Sequence, residues 1–367
     1  MNGEKIYVLP KPIIDKKEDE SFKNLNERYE KIAKPGALSK TGDKVKKIVP
    51  KSVKEIGEKA TDKIKEKELY EQCIKVAIEG FSIMEKEAAK LTVSEKNIVK
   101  SINKLSNEVE ITSLDEICLA RSYDISKIVN KYRTQNLTLA LLEGGVTGFF
   151  GFPGLPFNIV LSTFLFYRAV QSVAMYYGYD VKNDTAELII AGNVFMSAIS
   201  PKSNRQNELV GIVSKIMAMT EITTIKQVSS KTWTEMAKHG GIPLLICQIR
   251  ALANNAAKKA LDKAGKKGLE KNIFTGILTQ LGRKITKDSL KSSLPIVGAA
   301  ISGLFDTAQM NKVLEYADVF YCKRFLVEKE VRINSLIGTV DSIEDTVIDI
   351  AEDEMLFEEN NCRNTIE

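Results

Sequence analysis

Few residues in this 367-residue chain have a type and spacing that could do chemistry. The single histidine, His239, stands beside Gly240 and Gly241 and reads as a helix-terminus residue. One histidine in so long a chain argues against histidine-based catalysis or metal binding. The five cysteines, Cys73, Cys118, Cys247, Cys322 and Cys362, are scattered singly, with no Cys-x-x-Cys. That suggests neither a zinc site nor a disulfide framework, and it fits a reducing compartment. There is no GxSxG, HExxH, Walker A or GxGxxG motif. Gly144, Gly145 and Gly148 form a glycine-rich run, but inside an apolar helical pattern rather than after a strand, so they read as packing residues and not as a phosphate cradle. No cofactor, metal or enzyme activity is expected. What remains is a pair of charges, Glu143 and Arg168, at similar distances on either side of a Gly/Pro turn. If the flanking helices close as an antiparallel hairpin, the two charges lie at one depth. A lone charge in an apolar environment costs several kcal/mol, so the pairing becomes a requirement. A structural ion pair and a buried functional pair both remain readings of it.

The stretch that would position this pair spans residues 137–180, the longest apolar run in a lysine-rich sequence. It is split at residues 151–156, where Gly151, Pro153, Gly154 and Pro156 stand. Ala140, Gly144 and Gly148 recur every four residues, a small-xxx-small face that lets a second helix approach closely. Pro156 suits the first turn of the second helix, where its missing N–H costs nothing. Each half falls short of the ~20 uninterrupted apolar residues a spanning helix needs, which disfavours a two-pass anchor. A buried core hairpin and a hairpin that lies against or re-enters a bilayer both fit the spacing.

Elsewhere helical periodicity dominates and alternation is scarce, so the expected fold is all-α: a multi-helix domain built around glycine-rich apolar hairpins. Residues 1–52 read as a basic flexible tail, 53–337 as the helical domain with a possible break at 200–207, and 338–367 as an acidic tail or helix. The start has no apolar h-region, so no signal peptide is expected there. Tyr70, Ile74, Ala77, Ile78, Phe81 and Met84 share a helix face within 53–90. Ser94 opens a short helix, Ser113 with Glu116 matches a capping box before a helix reaching Tyr132, and Asp184 caps the helix after the hairpin. Apolar-Pro dipeptides start helices at Pro156, Pro243 and Pro295. In the last of these, Gly298 with Ser302 and Ala299 with Gly303 repeat the small-xxx-small spacing, which makes oligomerisation physically possible. Net charge is +5, too mild and too little interleaved with aromatics for a nucleic-acid binder. Cations concentrate at Lys258, Lys259, Lys263, Lys266, Lys267, Lys271, Arg283 and Lys284. Anionic lipid would attract such a segment by ~1 kcal/mol per lysine near the surface.

The run through residues 143–160, then Arg168-Ala169-Val170-Gln171 and Tyr177-Gly178-Tyr179-Asp180, resembles the signature of the EcsC-like family of bacterial proteins. Leu294-Pro295-Ile296-Val297-Gly298-Ala299 is similar to the family's carboxy-terminal motif, and the resemblance covers roughly residues 69–325. It departs at Asn158 and Asp306. The resemblance implies a membrane-associated accessory role, with links to transporter or secretion function, and carries no catalytic residues. The expected function is therefore that of a non-enzymatic cytoplasmic protein, peripheral to the inner face of the cell membrane. Its partner would be anionic lipid or a membrane protein, met through apolar hairpins and basic segments. The alternatives are a soluble helical scaffold binding an acidic protein or its own acidic tail, and a membrane-perturbing stress or defence effector.

Overall fold

The computed structural model describes residues 7–33, 66–89, 93–105, 109–136, 155–199, 207–220, 232–289 and 307–338. These are helices with connecting turns, and among the described residues there is no strand. The first helix, α1 (Lys16–Ala33), lies inside the interval whose composition suggests a flexible tail. That expectation fails for residues 16–33. Phe22, Leu25, Tyr29 and Ile32 recur at helical spacing, and the first two are fully buried while the others pack on the same core. Fully burying two such side chains stabilises by about 3–6 kcal/mol, which anchors a helix too polar to persist alone. Its start is a reciprocal capping box: Asp15 Oδ1 accepts from Glu18 N at 2.7 Å, and Asp15 N donates to Glu18 Oε2 at 3.4 Å.

The helix expected over 53–90 is described as two, α2 (Glu66–Glu79) and α3 (Phe81–Ala89). Gly80 separates them, where a Cβ would stand 2.8 Å from Val76 O. Ser94 caps α4 (Glu95–Asn103) as its sequence position suggests, accepting from Asn97 N at 3.3 Å. Ser113 does not cap. Residues Asp115–Leu119 form a 3-10 turn with no side-chain cap, and Glu116 reaches Thr112 N (2.8 Å) and Thr112 Oγ1 (2.9 Å) instead. Extended Ala120 then breaks the chain before α5 (Ser122–Lys131), so the single helix expected here is two short elements.

Pro156 stands in the first turn of α6 (Leu155–Tyr176), and Ile242-Pro243 in that of α10 (Gly241–Ser289). α7 (Thr185–Ile199) is capped by Asp184, whose Oδ1 accepts from Ala186 N and Glu187 N at 2.8 and 3.2 Å. α8 (Glu208–Ala218) and α9 (Trp233–Lys238) follow, with His239 at the C-terminal cap of α9. The last described helix is α11 (Thr307–Leu336).

α11 is the axis of the molecule. α1, α5, α6, α7, α8 and α10 pack on it, and every residue from 316 to 329 is buried. α6 lies against α2, α7 and α11, and its residues 163–176 are buried apart from half-buried Arg168. This second arm of the expected hairpin is therefore core. Phe81, Phe164, Tyr167 and Phe274 join α3, α6 and α10 through edge and stacked contacts at 4.9–6.4 Å. Tyr176, Tyr177 and Tyr179 are core aromatics as well, and Trp233 is 2 % exposed. α7 approaches α10 so closely that a Cβ on Gly192 would collide with Ile273. No helix among the described residues is long and apolar enough to cross a membrane.

Candidate functional site

The basic segment lies on α10, and α10 is bent. Gly265 has φ 64° and ψ 177°, a backbone region open in practice to glycine alone. After it Lys266, Ile273 and Gln280 meet Lys182 O, Gly192 and Met196 O in order. The second arm of α10 thus runs alongside α7 in the same direction, and the bend projects at the amino-terminal end of α7. Lys258, Lys259, Lys263, Lys266 and Lys267 are exposed around the bend, and Lys271 is half-buried where the second arm returns to the core. Exposed Leu261 and Asp262 complete the tip, leaving a net charge of +4 over residues 258–267. Arg283 and Lys284 belong to the last turns of α10, away from the bend along the helix.

The expected pair of Glu143 and Arg168 meets the structure on one side only. Glu143 lies outside the described residues, as do Ala140, Gly144, Gly148, Gly151, Gly154, Gly298 and Gly303. Arg168 pairs with Glu270 on the returning arm of α10, at 3.1 Å, and donates to Gln171 Oε1 at 3.1 Å. Its guanidinium also sits 5.2 Å from the Phe164 ring centroid. Burial raises the Glu270 carboxyl above the ordinary glutamate value, and Arg168 opposes that shift. The pair therefore ties the root of the basic bend to α6.

A larger polar constellation surrounds α11. Asp318, Lys323, Arg324, Glu328 and Lys329 are all 0 % exposed, and each has partners. Arg324 grips Glu187 of α7 through two bonds of 2.7 Å and bonds Glu328 at 2.7 Å, while Arg250 of α10 reaches Glu187 Oε1 at 2.6 Å. Burial pushes the Glu187 carboxyl up, but Arg324 and Arg250 outweigh it and hold it below the ordinary glutamate range. Glu18 of α1 accepts from Lys329 Nζ (2.8 and 3.0 Å), Arg121 Nη1 (3.2 Å) and Ser122 N (2.8 Å). Asp318 takes Arg28 and the Tyr177 hydroxyl, and Glu315 takes Arg28 and Arg133. Lys323 reaches carbonyls at the end of α8, Met217 O and Met219 O, both at 2.9 Å. Burial lowers its pKa to about 8.

The Tyr177-Gly178-Tyr179-Asp180 turn reads this helix residue by residue. The Tyr177 hydroxyl donates to Asp318 Oδ1 at 2.7 Å and that of Tyr179 to Glu328 Oε2 at 2.8 Å. Gly178 has φ 81°, and a Cβ there would collide with Arg332 and lie 2.8 Å from Leu114 O. Arg332 uses the space to donate to Tyr177 O and Gly178 O at 2.9 and 3.0 Å. Asp180 Oδ1 closes the turn on Lys182 N and Asn183 N. None of these α11 charges is singled out by sequence reasoning. The available signals were the Asp15/Glu18 capping box and charges embedded among Tyr, Phe and Val in residues 316–331.

Such a ladder, with the α11 charges from Asp318 to Lys329 paired and buried, is structural in character and positions helices. The thiols point the same way: burial pushes Cys73 up to about 12, Cys118 to about 11 and Cys322 to about 12, the reverse of an activated nucleophile. The lysine bend is an exposed array of cations suited to a diffuse anionic surface.

The profile of the EcsC protein family matches residues 19–326. No curated protein and no solved structure matches the chain.

Proposed function

We propose that this chain, which belongs to the EcsC protein family, is a non-enzymatic accessory protein that binds the anionic inner face of the cell membrane, or a membrane protein there, in support of transport or secretion. The observation that carries the reading is the Gly265 bend, where five exposed lysines surround one exposed leucine. Cations with a small apolar tip suit headgroup contact, at ~1 kcal/mol per lysine near the surface. The burial of α6 supports contact at the surface rather than insertion by that arm. Flotation with vesicles tests the reading. The protein should float with phosphatidylglycerol-containing vesicles at low salt, and stay down with phosphatidylcholine alone or at high salt. Lys258→Glu, Lys259→Glu, Lys263→Glu and Lys267→Glu together should abolish flotation. Flotation that survives salt and all four changes would overturn the assignment to the bend.

The burial of α6 also favours a second reading, a soluble helical scaffold whose lysine bend binds an acidic protein. Failure to float with any vesicle would favour it.

A further inference from the structure

We infer that the acidic segment 341–359 of this same chain docks on the lysine bend of α10 and masks it, a regulation that rests on the surface-binding role proposed above. Two independent observations meet here, one of charge and one of place. Residues 341–359 carry nine carboxylates and no cation: Asp341, Glu344, Asp345, Asp349, Glu352, Asp353, Glu354, Glu358 and Glu359. Residues 258–267 carry five exposed lysines against Asp262. Runs of like charge act as interaction segments, and among the described residues the strongest opposite run is at the bend.

The place follows from contacts around the Tyr177–Asp180 turn. Arg332, near the end of α11, donates to Gly178 O at 3.0 Å. Lys182 lies four residues beyond, and its carbonyl receives Lys266 of the bend. Four residues span at most about 14 Å, and the four from Arg332 to Leu336 rise about 6 Å in a helix. The point where α11 ends is thus separated from the bend by at most about 20 Å of backbone plus one arginine and one lysine side chain. Residues 339–352 alone can span about 45–50 Å when extended. The carboxylates from Glu352 to Glu359 reach the lysines with chain to spare, and tethering keeps their effective concentration high. A membrane or acidic partner then has to displace the segment before it meets the lysines.

Carbodiimide coupling of the full-length protein, which joins lysines to contacting carboxylates without a spacer, tests the docking directly. Peptide mapping should find Lys258, Lys259, Lys263 or Lys267 joined to Glu352, Asp353, Glu354, Glu358 or Glu359 within one chain. The variant Lys263→Glu with Lys267→Glu should lose those links. In a second assay, Glu352→Gln, Asp353→Asn, Glu354→Gln, Glu358→Gln and Glu359→Gln together should tighten binding to phosphatidylglycerol-containing vesicles by about tenfold or more, as one or two lysines are freed for headgroups. Links that are absent, that join two chains, or that survive the lysine changes overturn the inference, as does unchanged affinity on vesicles that the parent protein binds. Links within one chain from a protein that binds no vesicle would sustain the docking and sink the membrane reading.

Discussion

Replacing Glu187 by alanine is expected to destabilise the fold by about 3–5 kcal/mol, the range for stripping one partner from a buried ion pair. The perturbation removes three charge-assisted bonds, two from Arg324 at 2.7 Å and one from Arg250 at 2.6 Å. At about 1.5–3 kcal/mol each they would sum higher, but the two cations are not left equally stranded. Arg324 keeps Glu328 at 2.7 Å and the Tyr179 ring at 4.1 Å, and Arg250 has Asp184 at 3.9 Å. Whole domains are stable by only about 5–15 kcal/mol, so this one change consumes a large fraction of that margin. Urea unfolding, followed by circular dichroism and intrinsic fluorescence with coincident transitions, measures it. Glu187→Ala, Arg324→Met and the double variant close a cycle whose coupling energy should reach about 2–3 kcal/mol. A loss below about 1 kcal/mol, or additive single changes, would refute the argument that these charges hold one another inside the core. The pH dependence adds a check of sign. The folded carboxyl lies below its ordinary value of 4.5, so its contribution is fully present above that value and fades as pH falls through the folded one.

Gly178→Ala should cost about 1–2 kcal/mol for the left-handed backbone and about 1.5–3 for the bonds of the displaced Arg332; an unchanged melting temperature would contradict the close approach. Arg168→Ala and Glu270→Ala should couple by about 1–2 kcal/mol in a double-mutant cycle. Coupling of Arg168 to Glu143→Ala instead would return the partner to the apolar hairpin. The buried Tyr167, Tyr177, Tyr179 and Tyr321 have pKa values raised by burial. The folded state therefore keeps protons that the unfolded chain loses above its ordinary tyrosine value of 10.0, and stability falls as pH rises past it. Lys323, lowered to about 8, works in the opposite sense between 8 and 10.5 but is outnumbered. Tyrosinate absorbance should appear in one cooperative step with the loss of helix, and a gradual rise from a folded protein would count against the burial.

Some of the fold is legible in local sequence. Asp184 and Ser94 cap helices because a short acceptor stands where first-turn N–H groups are exposed, a relation confined to three residues. The apolar stretch after Pro156 is a helix for the same kind of reason, and its all-round hydrophobicity agrees with burial on every side. α1 was missed because lysines and glutamates outnumber the four apolar residues that seat it, although its capping box was visible in Asp15 and Glu18. α11 is the harder case. A charge in a helix is ordinarily a sign of its solvent face, and Asp318, Lys323, Arg324, Glu328 and Lys329 carry no local mark that says otherwise. The distant counter-charges of Lys329, Asp318 and Arg324 come from Glu18, Arg28 and Glu187, between 137 and 311 residues away along the chain. Burial of a charge is decided by partners that assemble only with the fold. The same fact suggests why the charges are tolerated. An apolar helix of equal volume would be at least as stable, but it could turn about its axis within an apolar cage. Glu18, Asp318, Glu187 and Glu328 each engage a different azimuth or height of α11 and its neighbours, and only one rotation satisfies them together. The turn at Tyr177–Asp180 shares in that fixing, and through Lys182 it also meets the lysine bend. The rigid element and the exposed cations are thus joined at one corner of the molecule.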